Sequence, residues 1–146
     1  PAIATAFALS ERDIIADVGR FDDIGGLGPL LASASRVLMV CRPTLRQAAA
    51  AAPRLRRLDC VRPADGLLLT GRGEYGPDML ARHFRVEVAG TLPWAPSAAE
   101  VLSDGAAPSR RFMHTRLMQA ARRLAGQLAR ELDTQPGPVP AEARQQ

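Results

Sequence analysis

Asp17 and Gly19 close the run Asp13-Ile14-Ile15-Ala16-Asp17-Val18-Gly19-Arg20, and their types and spacing suit phosphate chemistry. An aspartate delivered at the carboxyl end of a buried strand can hold a Mg²⁺-bound water or orient a nucleophile. A glycine two residues later lets a phosphate approach the backbone closely. The same pair also has a purely local use, with the aspartate capping the next segment and the glycine turning it. What the chain lacks limits the chemistry. All 19 basic residues are arginine, and no G-x-x-x-x-G-K-[ST] loop occurs. Without lysine there is no ammonium to reach the β- and γ-phosphates of a nucleotide.

Other reactive side chains form no constellation. His83 and His114 are far apart and have no acid or cysteine at ligand spacing, so each reads as an exposed or capping histidine. Ser33, Ser35 and Ser109 lack a G-x-S-x-G context for nucleophilic catalysis. Cys41 and Cys60 have no metal spacing and read as buried, reduced thiols. Gly25-Gly26-Leu27-Gly28 is glycine-rich but has no basic partner.

Four apolar runs must position any site. Ile14 to Val18 ends at Gly19, Val37 to Cys41 at Arg42-Pro43-Thr44, Leu67 to Thr70 at Gly71-Arg72-Gly73, and Val86 to Leu92 at Pro93. The first three read as strands covered on both faces of a parallel sheet; the last alternates more and belongs near a sheet edge. In such sheets ligands bind outside the carboxyl ends of the strands. That assigns interest to Asp17, Gly19 and Arg20, to Arg42 to Thr44, to Gly71 and Arg72, and to Pro93 and Trp94.

Helical patterns lie between the runs. They cover Leu27 to Ser35, Thr44 to Leu58 with Thr44 as N-cap, Pro77 to Phe84, and Ser97 to Ser103. Pro53 should kink or break the second. A last helix spans about Ser109 to Leu132, with a stripe of Met113, Leu117, Ala120, Ala121, Leu124, Leu128 and Leu132 suited to packing on the sheet. Strands alternating with helices of this length argue for right-handed βαβ crossovers. The fold expected is α/β: three layers, with a mostly parallel sheet flanked by helices. Residues 1–133 would form this domain, and residues 134–146, rich in proline, a disordered tail.

A chain of 146 residues, 47% hydrophobic, fits one domain with its own core. The net charge of +4 is spread over arginines interleaved with acids, which does not call for direct nucleic-acid binding. No apolar run approaches the ~20 residues of a membrane span, and no signal-peptide pattern opens the chain. The expectation is a cytoplasmic protein or a piece of a longer one.

In order and spacing, Asp13 to Pro108 resembles the carboxyl-terminal half of the MinD/ParA family of P-loop ATPases, closest to its actinobacterial MinD-like branch. Asp13 to Arg20 matches the Walker B/switch II strand, and Leu30 to Thr44 the following helix and strand. Gly66 to Tyr75 matches the strand that carries base-contacting residues. Gly90-Thr91-Leu92-Pro93-Trp94 matches a G-x-hydrophobic-P strand end, and Ser103-Asp104-Gly105-Ala106-Ala107-Pro108 an x-x-G-x-P turn.

The resemblance implies that Asp17 is the catalytic and Mg²⁺-organising acid, with Gly19 beside it. Gly71 and Arg72 fall on an Asn-Arg pair next to adenine, and Pro93 to Pro96, with Pro93 and Trp94 as the contacting residues, on the loop bordering the base. It also implies ATP and Mg²⁺ as cofactors of an intact domain, which dimerises around ATP and serves chromosome partitioning, septum-site placement or pilus assembly. Here Gly71 replaces the base-reading asparagine, and Arg36 stands where the family usually has aspartate. Trp94 suits either stacking on adenine or closing the sheet end as a half-buried aromatic. The lysine-bearing phosphate loop would precede Asp13, so this chain alone is expected neither to bind ATP tightly nor to hydrolyse it. The alternative is a non-catalytic α/β module that binds a protein partner.

Overall fold

The computed structural model of the chain describes residues 2–10, 12–20 and 26–134. Three of the four apolar runs become strands: β1 (Leu38–Cys41), β2 (Gly66–Thr70) and β3 (Val88–Leu92). They pair in parallel in the order β1-β2-β3, with Cys41 opposite Leu69 and Thr70 opposite Leu92. All three carboxyl ends therefore lie along one side of the sheet. β3 sits at an edge, as its alternation suggested. The helices are α1 (Ala2–Ala8), α2 (Gly28–Ser33), α3 (Leu45–Asp59), α4 (Pro77–Phe84), α5 (Pro96–Ser103) and α6 (Arg116–Thr134).

The crossover helices α3 and α4 cover one face. Met39 and Cys41 of β1, Leu67 and Leu69 of β2 and Val88 of β3 pack there with Ala48, Ala51, Leu55 and Leu80. Leu67 is fully buried, at 0% exposure. Leu31 of α2 joins Val37 and Leu58 in a smaller cluster at the other end of β1. Pleat alternation turns Leu68 and Gly90 to the opposite face. There α6 packs on β3, with the Leu124 side chain close over Gly90. The arrangement is α/β, with a three-stranded parallel sheet between helices.

Several devices hold this register. At the amino ends of the strands, Asp65 Oδ2 accepts from Val37 N–H at 2.6 Å, and Asp65 N–H donates to Val37 O at 2.9 Å. Arg62 Nη2 donates to Asp65 Oδ2 at 2.9 Å and to Ser35 O at 3.2 Å. Arg36 Nη2 lies 2.7 Å from Glu131 Oε2 and ties the far end of α6 to the entry of β1. That pair is an ionic contact rather than an aligned hydrogen bond.

The boundaries depart from the sequence expectation where local chemistry overrides periodicity. Thr44 is extended at the start of α3 but its hydroxyl makes no cap bond, and Pro53 lies inside α3 without ending it. Helix α6 begins at Arg116 rather than near Ser109, because Thr115 is extended and its Oγ1 accepts from Met118 N–H at 3.4 Å. Met113 thus falls outside the stripe, in a 3₁₀ turn (Phe112–His114). Cys41 is buried, but Cys60 is exposed rather than buried. Thr134, the first residue of the expected tail, closes α6 instead, and the rest of that tail, residues 135–146, lies outside the described residues, as does Gly25.

The largest correction concerns the first apolar run. Residues 12–20 form no strand, and Ile15 is 98% exposed. A short apolar run becomes a strand only when a neighbour takes up its backbone groups and a helix covers its side chains. Neither condition is met for this segment among the described residues.

Candidate functional site

The loops leaving the three strands meet at the carboxyl side of the sheet. Gly71 follows β2 in the left-handed region, at φ 75°, and its N–H donates to Leu92 O at 2.8 Å. A side chain there would be strained and would press within 3.3 Å of Trp94 Cβ. Gly73 is more tightly constrained: a methyl on it would lie 2.0 Å from Pro43 O. Tyr75 N–H donates to the same carbonyl at 3.2 Å. The β2 loop is thereby held against the β1 loop on one side and the β3 loop on the other.

Trp94 stands beside this junction. It is 64% exposed, so it does not close the sheet end as a half-buried aromatic. The Arg42 guanidinium lies 4.6 Å over its ring, a cation–π contact between the β1 and β3 loops.

Next to Trp94, a shallow groove of about 300 Å³ opens between the strand ends and α6. Gly71, Arg72, Thr91 and Pro93 line one wall, and Arg116, Gln119, Ala120 and Arg123 the other. A smaller hollow of about 240 Å³ continues along β3 and α6, past Gly90, Leu124 and Gln127. The structure thus brings together Gly71, Arg72 and Pro93, with Trp94 alongside.

Asp17 and Gly19 are not part of this groove. The Asp17 carboxylate Oδ1 accepts from Gly19 N–H at 2.8 Å, and Gly19 turns the chain at φ 66°. The pair forms a local, exposed turn. The reason is the missing strand: without sheet pairing, nothing aims the carboxylate at the strand ends. No group of three or more His, Cys, Asp or Glu is gathered for a metal among the described residues. Asp17 alone, closed on the Gly19 N–H, does not fit a Mg²⁺ centre.

No family model, curated protein or solved structure matches this chain.

Site residues therefore rest on geometry. Arg116 and Arg123 lie off the apolar stripe of the last helix, where charged residues are ordinarily solvated. Their spacing with Gln119 and Ala120, at i, i+3, i+4 and i+7, does put all four on one face. That signal was readable. Which way the face looks depended on how α6 docks on β3. No helix among the described residues is long and apolar enough to cross a membrane.

Proposed function

We propose that this chain is the carboxyl-terminal part of a MinD/ParA-like ATPase domain, contributing its base-bordering side and inactive without a phosphate loop. The observation that carries this reading is the convergence of Gly71, Arg72 and Pro93 on one groove at the strand ends, with Trp94 beside them. These are the positions the resemblance assigns to the adenine border, and ligands of open parallel sheets bind at that end. The Arg42 and Trp94 stack offers a flat, cationic surface of the kind on which a base rests. Phosphoryl transfer depends on positioned donors and Mg²⁺ around the transferring group. A chain without lysine and with Asp17 folded onto its own turn lacks them.

A second reading, a non-catalytic module that binds a protein partner, draws on a different observation. The outer edge of β1 has no pairing strand among the described residues, and Val40 on it is 56% exposed. Leu45, Ile14 and Ile15 are also exposed. Open edges and apolar surface favour association.

Trp94 is the single tryptophan and reports directly on the proposed base border. On the 146-residue chain, micromolar Mg-ATP should give no calorimetric heat and no change in Trp94 emission. Micromolar binding would overturn the claim of inactivity. A glycine-rich, lysine-bearing loop encoded upstream of Pro1, restoring ATP-dependent quenching of Trp94 when included, supports the ATPase reading. A start codon at that point, with no such loop, favours the interaction module.

A further inference from the structure

We propose that the groove between β3 and the first turns of α6 binds a small phosphate-bearing anion through Arg72, Arg116 and Arg123. Three exposed arginines from two separate elements, Arg72 of the β2–α4 loop and Arg116 and Arg123 of α6, line one groove. No acid is among the lining residues. None of the three makes an ion pair among the described residues, although Arg36 and Arg62 elsewhere do, with Glu131 and Asp65. Like charges gathered along one groove repel one another, and an anion bound there offsets that repulsion. They do no visible structural work that would explain their convergence.

The choice of arginine over lysine says nothing here, since the chain has no lysine. Placement carries the inference. The planar guanidinium donates in pairs to phosphate oxygens; Gln119 on the same wall already donates its amide Nε2 to His114 O at 3.2 Å, so the arginines carry the site. The α6 dipole acts in the same sense at this end of the helix. A groove of about 300 Å³ is at the small end of ligand sites. It suits a pyrophosphate-sized group. The smaller hollow beyond Thr91, with the apolar Leu124 on its wall, leaves room for whatever organic group the phosphate carries.

Inorganic pyrophosphate is the probe, titrated calorimetrically into the full 146-residue chain at low ionic strength. It carries no base and is expected to bind with about millimolar affinity, so it stands apart from the micromolar Mg-ATP binding that would overturn the claim of inactivity. Saturable binding that weakens with added salt is expected. Arg72→Gln/Arg123→Gln should weaken it about tenfold or more, whereas Arg130→Gln, two turns further along α6, should change it less than about twofold. Thermal melts check folding. If the double variant fails to fold, Arg116→Gln, at the exposed start of α6, is held to the same expectation. Absence of saturable binding, or equal losses in the groove and control variants, overturns the proposal. A single-stranded oligonucleotide that displaces pyrophosphate from the same arginines at far lower phosphate concentration would also overturn it, assigning the groove to nucleic acid.

Discussion

The segment Asp13 to Arg20 and the rim formed by the β1, β2 and β3 loops make an instructive pair. The first carries the residues with the clearest chemical signature, an acid and a glycine after an apolar run. The second carries chiefly glycines, prolines, arginines and one tryptophan. Yet the first is an exposed turn closed on itself, while the second is assembled by close contacts from three strands. Residue type states what a side chain can do. Only a framework that fixes its neighbours decides whether it does so.

The largest test of this contrast compares side chains from the two regions. Leu67→Ala should cost about 3 kcal/mol in urea unfolding, because it empties a fully enclosed site between β2 and the crossover helices. Ile15→Ala should stay within about 0.5 kcal/mol of wild type, since the side chain is already in water. Equal losses would place residues 12–20 in the core and break the contrast.

The next test sets two glycines against each other. Gly73→Ala should destabilise by about 2 kcal/mol or more, because its methyl collides with the Pro43 carbonyl and forces two loops apart. Gly19→Ala meets open space and pays only for its left-handed backbone, about 1 kcal/mol. Chemical denaturation ranks the pair, and a reversed order would refute the assembled rim.

The cysteines sharpen the comparison through reactivity. Cys60 should react promptly with a thiol reagent, and Cys41 only on unfolding. Burial pushes the Cys41 thiol above its ordinary value by penalising the thiolate. The folded state therefore holds that proton more tightly than the unfolded chain. Its share of stability is intact below the ordinary thiol range and declines as pH rises through and above it. Denaturation of Cys41→Ser alongside wild type across that range measures the decline.

Smallest is Arg42→Ala, which should cost about 0.5–1 kcal/mol, the scale of an exposed cation–π contact. It should also shift Trp94 emission. Unchanged emission would separate the two side chains and loosen the rim.

Much of the architecture was legible in advance. The strands at 38–41, 66–70 and 88–92 follow from apolar runs ended by proline or glycine, and α4 matched its expected span of Pro77 to Phe84. The convergence of Gly71, Arg72 and Pro93 follows from the rule that parallel strands point their carboxyl ends together. The failure at Ile14 to Val18 has a plain cause. Its pattern resembles that of the real strands, because a short apolar run records hydrophobicity and not the presence of a partner. Arg116 and Arg123 give no site signal in the sequence for the complementary reason: a charged residue on a helix face is ordinarily solvated.

The amino-acid sequence by itself determined the alternation of strands and helices, the absence of any lysine, and the glycines at which the strand-end loops can turn. These depend on local backbone and side-chain preferences, which act over a few residues. Tertiary structure alone decided that Asp17 would close on Gly19, that Trp94 would meet Arg42, and that α6 would bring Arg116 and Arg123 across from Arg72. Those outcomes depend on which surfaces find apolar partners over long sequence separations, a competition among all the faces of the chain at once.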